Sequence, residues 1–286
     1  MKKIVIFVFL LSFIAILSGC VNIFTVDYYE DSDKYLIGSQ EYEGTLDTLD
    51  IDWVFGYVKL IEDENATKIT IKEENELPDT IKVHSYFADG KLYIKFGEAG
   101  YKGSGIKSKE KSLEITYNNL KNINIKLTSG ELSADRIIAD EAKIILTSGT
   151  INVNSFSATN TNIKLTSGKI IFDSYVSATS KIKMTSGSIS VDSAYCDTID
   201  CELTSGSCNF NLKSCKNAEF RETSGSINLK IPEDTATKVT LNKTSGSIRT
   251  DRTFTRVGND YTFGQLGAEV TSTITINVTS GNVRIK

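Results

Sequence analysis

The chain has 286 residues and a formal charge of −4, with 32 basic residues against 36 acidic ones. That balance, with no basic tract along it, argues against a nucleic-acid partner. Only two prolines stand among abundant Val, Ile, Thr, Ser, Asn and Gly, which favours strands and tight turns over helices.

The first element reads as an export signal. Lys2 and Lys3 precede an apolar run from Ile4 to Leu17, closed by Leu17-Ser18-Gly19-Cys20. The run is shorter than the ~20 residues a spanning helix needs. A basic start, a short apolar stretch and a small-residue cleavage site are the anatomy of a signal peptide over residues 1–19. Leu-Ser-Gly-Cys resembles the bacterial lipoprotein signal, which implies cleavage before Cys20 and lipid attachment to it. Losing Lys2 and Lys3 takes the formal charge to about −6. Acyl chains on Cys20 would hold the protein on a membrane surface, facing outward. The plain alternative is a signal peptide with an incidental cysteine.

Residues 20–44, polar and aromatic without a repeat, read as lipid anchor and tether. Residues 45–117 predict irregular strand pairs, with Thr67 to Ile71 and Lys91 to Phe96 as strands and Asp89-Gly90 as a hairpin turn. The glycine-rich stretch Gly97 to Gly105 predicts a mobile loop. This irregular region is a candidate cap for one end of a regular array that begins near Lys121.

From Lys121 onward a repeat takes over. Thr-Ser-Gly recurs with its glycine at Gly130, Gly149, Gly168, Gly187, Gly206, Gly225, Gly246 and Gly281, and a degenerate copy ends at Gly56. The first five spacings are 19 residues, the next is 21 and the last 35. Five residues before the glycine come Ile125, Ile144, Ile163, Ile182, Cys201, Phe220, Leu241 and Ile276; two after it come Leu132, Ile151, Ile170, Ile189, Cys208, Ile227, Ile248 and Val283. Polar residues alternate between them, so each repeat is strand, turn, strand with one buried face. One coil cannot bury its own apolar row, but stacked coils can. The expected fold is therefore all-β: a single-stranded parallel β-solenoid of 19-residue coils over 45–286, with repeats strongest over 121–250. At about 4.8 Å per coil, eight or nine coils make a rod of roughly 40 Å. The glycine is expected to supply positive φ at the turn, with Thr and Ser forming hydroxyl ladders beside it. Small residues ten before the glycine (Ala139, Ala158, Ser177, Cys196, Cys215 and Ala236) predict a tight corner. An Asx row (Asp135, Asn154, Asp173, Asp192 and Asn211) predicts another turn. The 35-residue gap leaves room for a hairpin around Thr253 to Leu266 before a last coil.

Few residues suggest chemistry. His84 stands alone in a predicted strand, with no partner spaced for a metal or a catalytic triad. Cys196, Cys201, Cys208 and Cys215 lack zinc-knuckle spacing and occupy core positions, where free cysteine behaves as a small hydrophobe. Should a bridge form, Cys201 with Cys208, facing across one coil, fits better than Cys196 with Cys215 on adjacent coils. No catalytic residue, metal ligand or cofactor is implied. The Asx row lacks the glycine-rich pattern of calcium β-rolls. Lys126, Lys143, Lys164, Lys181 and Lys183 line one strand face, followed by Asp200, Glu202 and Glu219. That face is the candidate binding surface for an anionic wall polymer or polysaccharide; a solvated face that discourages aggregation is the alternative.

The serial Thr-Ser-Gly units, the early Trp53-to-Gly56 coil and the ending Ile274-Thr-Ile-Asn-Val-Thr-Ser-Gly-Asn-Val-Arg-Ile285 resemble the bacterial "putative adhesin" domain of unknown function. The resemblance covers about residues 45–286 and implies a β-solenoid of the cell envelope, with no catalytic residues to carry over. The expected role is a non-enzymatic, lipid-anchored envelope protein presenting a β-surface to a wall polymer, a polysaccharide or a membrane protein. An accessory of a membrane-embedded envelope-stress system is the alternative. A polysaccharide-acting enzyme would need paired carboxylates exposed on one face, such as Asp200 with Glu219.

Overall fold

The structure, a computed structural model, describes residues 24–103, 110–264 and 269–286. Its backbone is the predicted parallel β-solenoid. The strands Glu131–Leu146, Thr150–Leu165, Lys169–Met184, Ser188–Leu203 and Ser207–Glu222 lie parallel and in register, so that each residue meets the one 19 further on. Each long strand is bent. Pairing skips Asp135 and Asp140 in the first, which divides the coil into straight segments of four to six residues joined at corners. The Asx row sits at the first corner, where Asn154 donates to Asp135 on the previous coil (2.9 Å).

Alternation decides which side is inside. One column runs Ile94, Ile51, Ile125, Ile144, Ile163, Ile182, Cys201, Phe220, Ile276 and Leu241, each register-paired with the next. Every member is buried, and each such side chain contributes roughly 1.5–3 kcal/mol by leaving water. The small row from Ala139 to Cys215 is buried too, and holds the coil narrow at its second corner.

The Thr-Ser-Gly turn works differently from expectation. Gly187, Gly206 and Gly246 have positive φ, but Gly130, Gly149, Gly168, Gly225 and Gly281 lie outside that region. What all the repeat glycines share is a crowded Cα. A β-carbon on Gly130 would fall 2.8 Å from the Gly56 carbonyl oxygen, and one on Gly206 would fall 2.7 Å from that of Gly187. At every repeat glycine but Gly281, which meets the Glu222 carboxyl group, glycine is required because coils touch there, backbone to backbone. The serine hydroxyls do not bond one another. Ser129, Ser148 and Ser167 donate to carbonyl oxygens of the preceding coil, at 3.1, 3.1 and 3.3 Å.

At both ends the spatial order departs from the chain order. The coil made of Thr48–Trp53 and Tyr57–Glu62 lies between Lys91–Lys95 with Ser112–Tyr117 on one side and the coil beginning Asn122–Leu127 on the other. The antiparallel strands Ile69–Glu73 and His84–Ala88 close that end, with Asp89 and Gly90 both at positive φ in the predicted hairpin turn. The C-terminal end is inverted as well. The expected hairpin is present as Thr255–Val257 and Asp260–Phe263, but the coil after it is not the last in space. Ser272–Ile285 slots between the coil made of residues 217–222 with Ser226–Lys230 and the outermost coil Thr237–Thr250, pairing with both. Chain-order stacking fails here because 35 residues allow the chain to pass the end and return.

The stretch read as a tether carries structure from Phe24 onward. Phe24 packs on Phe55 (4.8 Å between centroids) and Phe96 (5.5 Å). Gln40–Tyr42 pairs with Ile69–Ile71. Phe24, Tyr29 and Tyr42 are half-buried against the core, which draws the stretch onto the solenoid, while Tyr28 stays exposed. Lys102–Gly103, in the stretch read as a loop, pairs with Phe24–Thr25. Residues 104 and 105 of that stretch and the whole signal segment, Cys20 included, lie outside the described residues.

Candidate binding face

The third straight segment of each coil (residues 122–127, 141–146, 160–165 and 179–184) turns every second side chain outward, and stacking aligns these into rows. One row reads Asp52, Lys126, Ile145, Lys164, Lys183, Glu202 and Arg221; its neighbour reads Asp50, Asn124, Lys143, Asn162, Lys181, Asp200 and Glu219. All five lysines singled out in the sequence therefore share one face.

They are not equivalent. Lys126 is held by Asp27 (2.8 Å) and Asp52 (3.1 Å). Partial burial opposes its charge, but the two carboxylates outweigh this and lift its pKa above the ordinary lysine range. Lys183 pairs with Glu202 at 3.0 Å. Lys143, Lys164 and Lys181 are exposed and make no ion pair among the described residues. They stand on three consecutive coils, beside a shallow groove lined by Asn124, Glu141, Asn160, Asn162 and Thr179. Asn160 donates to Glu141 (2.7 Å) along the stack, and Asn122 donates to Thr48 (3.2 Å). The result is a rigid strip of amide groups with three free ammonium groups above it.

Further along, the same face is self-neutralised. Arg221 binds Asp200 and also Glu219 (2.8 Å), so the two carboxylates that could have served a hydrolase are engaged by one guanidinium. His84 is buried, and its Nδ1 lies 3.0 Å from the Lys82 carbonyl oxygen. Burial lowers its pKa. Among the described residues no group of three or more His, Cys, Asp or Glu is placed to share a metal ion. All four cysteines after residue 20 are buried free thiols.

Three buried ionisable groups escaped the sequence reading. Lys111 is fully enclosed, bonded to Glu73 and to the Ile81 carbonyl, with its ammonium 5.0 Å from the Trp53 ring. It stacks on Gly56 in the position a repeat glycine would take. Glu222, 3% exposed, occupies the inward column that Leu127, Leu146, Leu165, Met184 and Leu203 fill on the preceding coils. Aligning that column would have revealed Glu222. No spacing signal marked Lys111 with Glu73.

The match with the Toastrack DUF4097 family model covers residues 50–286. Among solved structures, a "putative adhesin" from Parabacteroides merdae aligns with a TM-score of 0.55 and 12% identity, covering 87% of this chain and 96% of that one. Another "putative adhesin", from Bacteroides fragilis, gives 0.53 and 12%, over 88% and 97%. A "putative lipid binding protein" from Parabacteroides distasonis gives 0.53 and 13%, over 85% and 95%. Likeness at this identity establishes a common fold. No curated protein matches the chain.

Proposed function

Because the chain belongs to the Toastrack DUF4097 family, a scaffold whose solved relatives carry adhesin and lipid-binding names, we propose that it is a non-enzymatic envelope protein, anchored through Cys20, that binds an anionic wall polymer or polysaccharide. The observation that carries this reading is the trio Lys143, Lys164 and Lys181. Three unpaired ammonium groups sit on a rigid β-face while their neighbours on both sides are neutralised. Lys143 and Lys181 share a row two coils apart, and Lys164 stands on the coil between them in the neighbouring row. With coils about 4.8 Å apart and two residues of strand about 7 Å long, this staggered trio suits a polymer with regularly spaced anionic groups. The amide strip beside them supplies hydrogen-bond donors and acceptors for hydroxyls.

The test is retention of the chain from Val21 onward on isolated cell wall across a salt series. Replacing Lys143, Lys164 and Lys181 with Gln should abolish retention, and changing Lys126 and Lys183 should matter less because their charge is already spent on carboxylates. If three contacts release counterions as polyanion contacts do, log affinity should fall with log salt at a slope of about −2 to −3. Salt-independent retention, or retention unchanged in the triple variant, removes the lysine face from the reading. Anchoring is checked separately: Cys20→Ala should move the protein out of the membrane fraction.

A further inference from the structure

In every other complete repeat, the residues five before and two after the turn glycine are both large and apolar, as in Ile163 with Ile170, Ile182 with Ile189, and Phe220 with Ile227. One coil departs from this at both positions together. Cys201 and Cys208 replace the facing pair, both fully buried, with their sulfurs 3.7 Å apart across the core. Phe220 stacks on Cys201 in the next coil and takes part of the room that one small residue leaves; Cys208 stacks on Ile189 and Ile227, which are of ordinary size. The paired change leaves room for the coil's two walls to draw together until the sulfurs bond at about 2.05 Å.

We propose that Cys201 and Cys208 are a disulfide site, closed by thiol–disulfide exchange as the chain folds outside the reducing cytoplasm. That compartment rests on the export reading of residues 1–19. The chemistry needs an oxidant of the disulfide class, either an oxidoreductase or a small-molecule disulfide. One cysteine thiolate attacks the oxidant's disulfide, forms a mixed disulfide and expels one oxidant thiolate. The second cysteine thiolate then attacks the protein sulfur of that mixed disulfide, the Sγ–Sγ bond forms, and the other oxidant thiolate leaves. Two protein thiols lose their protons and two electrons; the oxidant becomes two thiols.

The bond forms before the coil closes. Once folded, burial holds the Cys208 thiol well above its ordinary range, and neither sulfur reaches solvent, so thiolate attack is suppressed. In the open chain both cysteines are accessible and only seven positions apart, a short loop with a small closure cost. The other pair is arranged less favourably. Cys196 and Cys215 are register neighbours on adjacent coils, and the Cys215 thiol donates to the Asn217 carbonyl at 3.4 Å.

Peptide mapping tests this directly. Full-length protein isolated from its own cells, and a second sample reduced, unfolded and refolded in a glutathione redox buffer, are denatured with alkylating agent and cut after Glu202 and Lys213 without reduction. The cuts separate Cys201 from Cys208, and Cys208 from Cys215. The expected result in both samples is residues 184–202 joined to 203–213, about 2 Da lighter than the sum of the free peptides, separating on reduction and still joined in Cys196→Ala. Alkylation of all four thiols in the refolded sample, or a link to the peptide holding Cys215 in Cys196→Ala, overturns the site. A link in the refolded sample but not in the cellular one keeps the site and overturns export.

Discussion

The carboxyl group of Glu222 lies directly against Gly281, where a β-carbon would fall 2.5 Å from its Cδ. The last strand of the chain thus packs its turn onto a buried acid. Neither carboxyl oxygen has a hydrogen-bond partner among the described residues. Burial pushes the pKa up to about 7.

This arrangement makes stability pH-dependent in a defined sense. The folded-state pKa is above the ordinary 4.5, so folding favours the protonated acid. Its contribution is fully present below pH 4.5 and is lost as pH rises through about 7. The loss should be on the order of 1–3 kcal/mol. Glu222→Leu restores the column's usual residue and should stabilise the protein by that amount at pH 8 and by much less at pH 5. Denaturant melts of both proteins at the two pH values measure it; a constant difference would show that Glu222 does not titrate there.

The repeat glycines should tolerate substitution according to contact rather than φ. Gly149 lies outside the positive-φ region, yet a β-carbon there would collide with the Gly130 carbonyl. Gly258 has φ +62 but nothing within 4 Å. Gly258→Ala should cost about 1–2 kcal/mol, the strain of a left-handed alanine. Gly149→Ala must push two coils apart and should cost at least as much, about 1–3 kcal/mol or more. Equal tolerance of Gly149→Ala and of a surface substitution would dismiss the contact argument.

The buried ion pair at the N-terminal end gives a third expectation. Lys111→Met leaves the Glu73 carboxylate enclosed, with only the Val83 amide (3.1 Å) as hydrogen-bond partner, and should cost about 3–5 kcal/mol. Replacing Glu73 with Leu in that background should return most of the loss, since an apolar pair needs no desolvation. A double-mutant cycle by equilibrium unfolding reports the coupling; additive losses would mean that the pair does not act as a unit.

The sequence displayed the solenoid because three independent signals coincide in each coil: alternation, a turn glycine and a small corner residue. It also displayed the lysine face, since rows follow once the 19-residue register is known. The inverted ends were hidden for a physical reason. The strands Thr48–Trp53 and Ser272–Ile285 carry the same pattern as their neighbours, and their slots are decided by where residues 63–111 and 251–271 lead the chain. The glycine argument misplaced the constraint, because a turn and a backbone contact favour the same residue. Lys126 and Lys183 read like their neighbours in sequence, and only the fold brings Asp27 and Asp52 to the first and Glu202 to the second.

The inverted C-terminal order predicts a specific rearrangement. In the inward column the spatial sequence is Leu203, Glu222, Val278, Lys243. Val278 therefore separates an unpartnered buried acid from an exposed lysine two coils away. A chain ending at residue 271 vacates the slot between them. The coil Thr237–Thr250 carries its own Thr-Ser-Gly and should move in, stacking Gly246 on Gly225 and Lys243 on Glu222. The shortened chain should then show an ion-pair coupling between these two residues that the full chain lacks. Breaking such a buried pair costs about 3–5 kcal/mol. A double-mutant cycle with Glu222→Gln and Lys243→Met, run in both lengths, measures it. Coupling in neither length would mean that the coil does not take the slot. Coupling in both would mean that Lys243 already reaches Glu222 past Val278 when Ser272–Ile285 is in place.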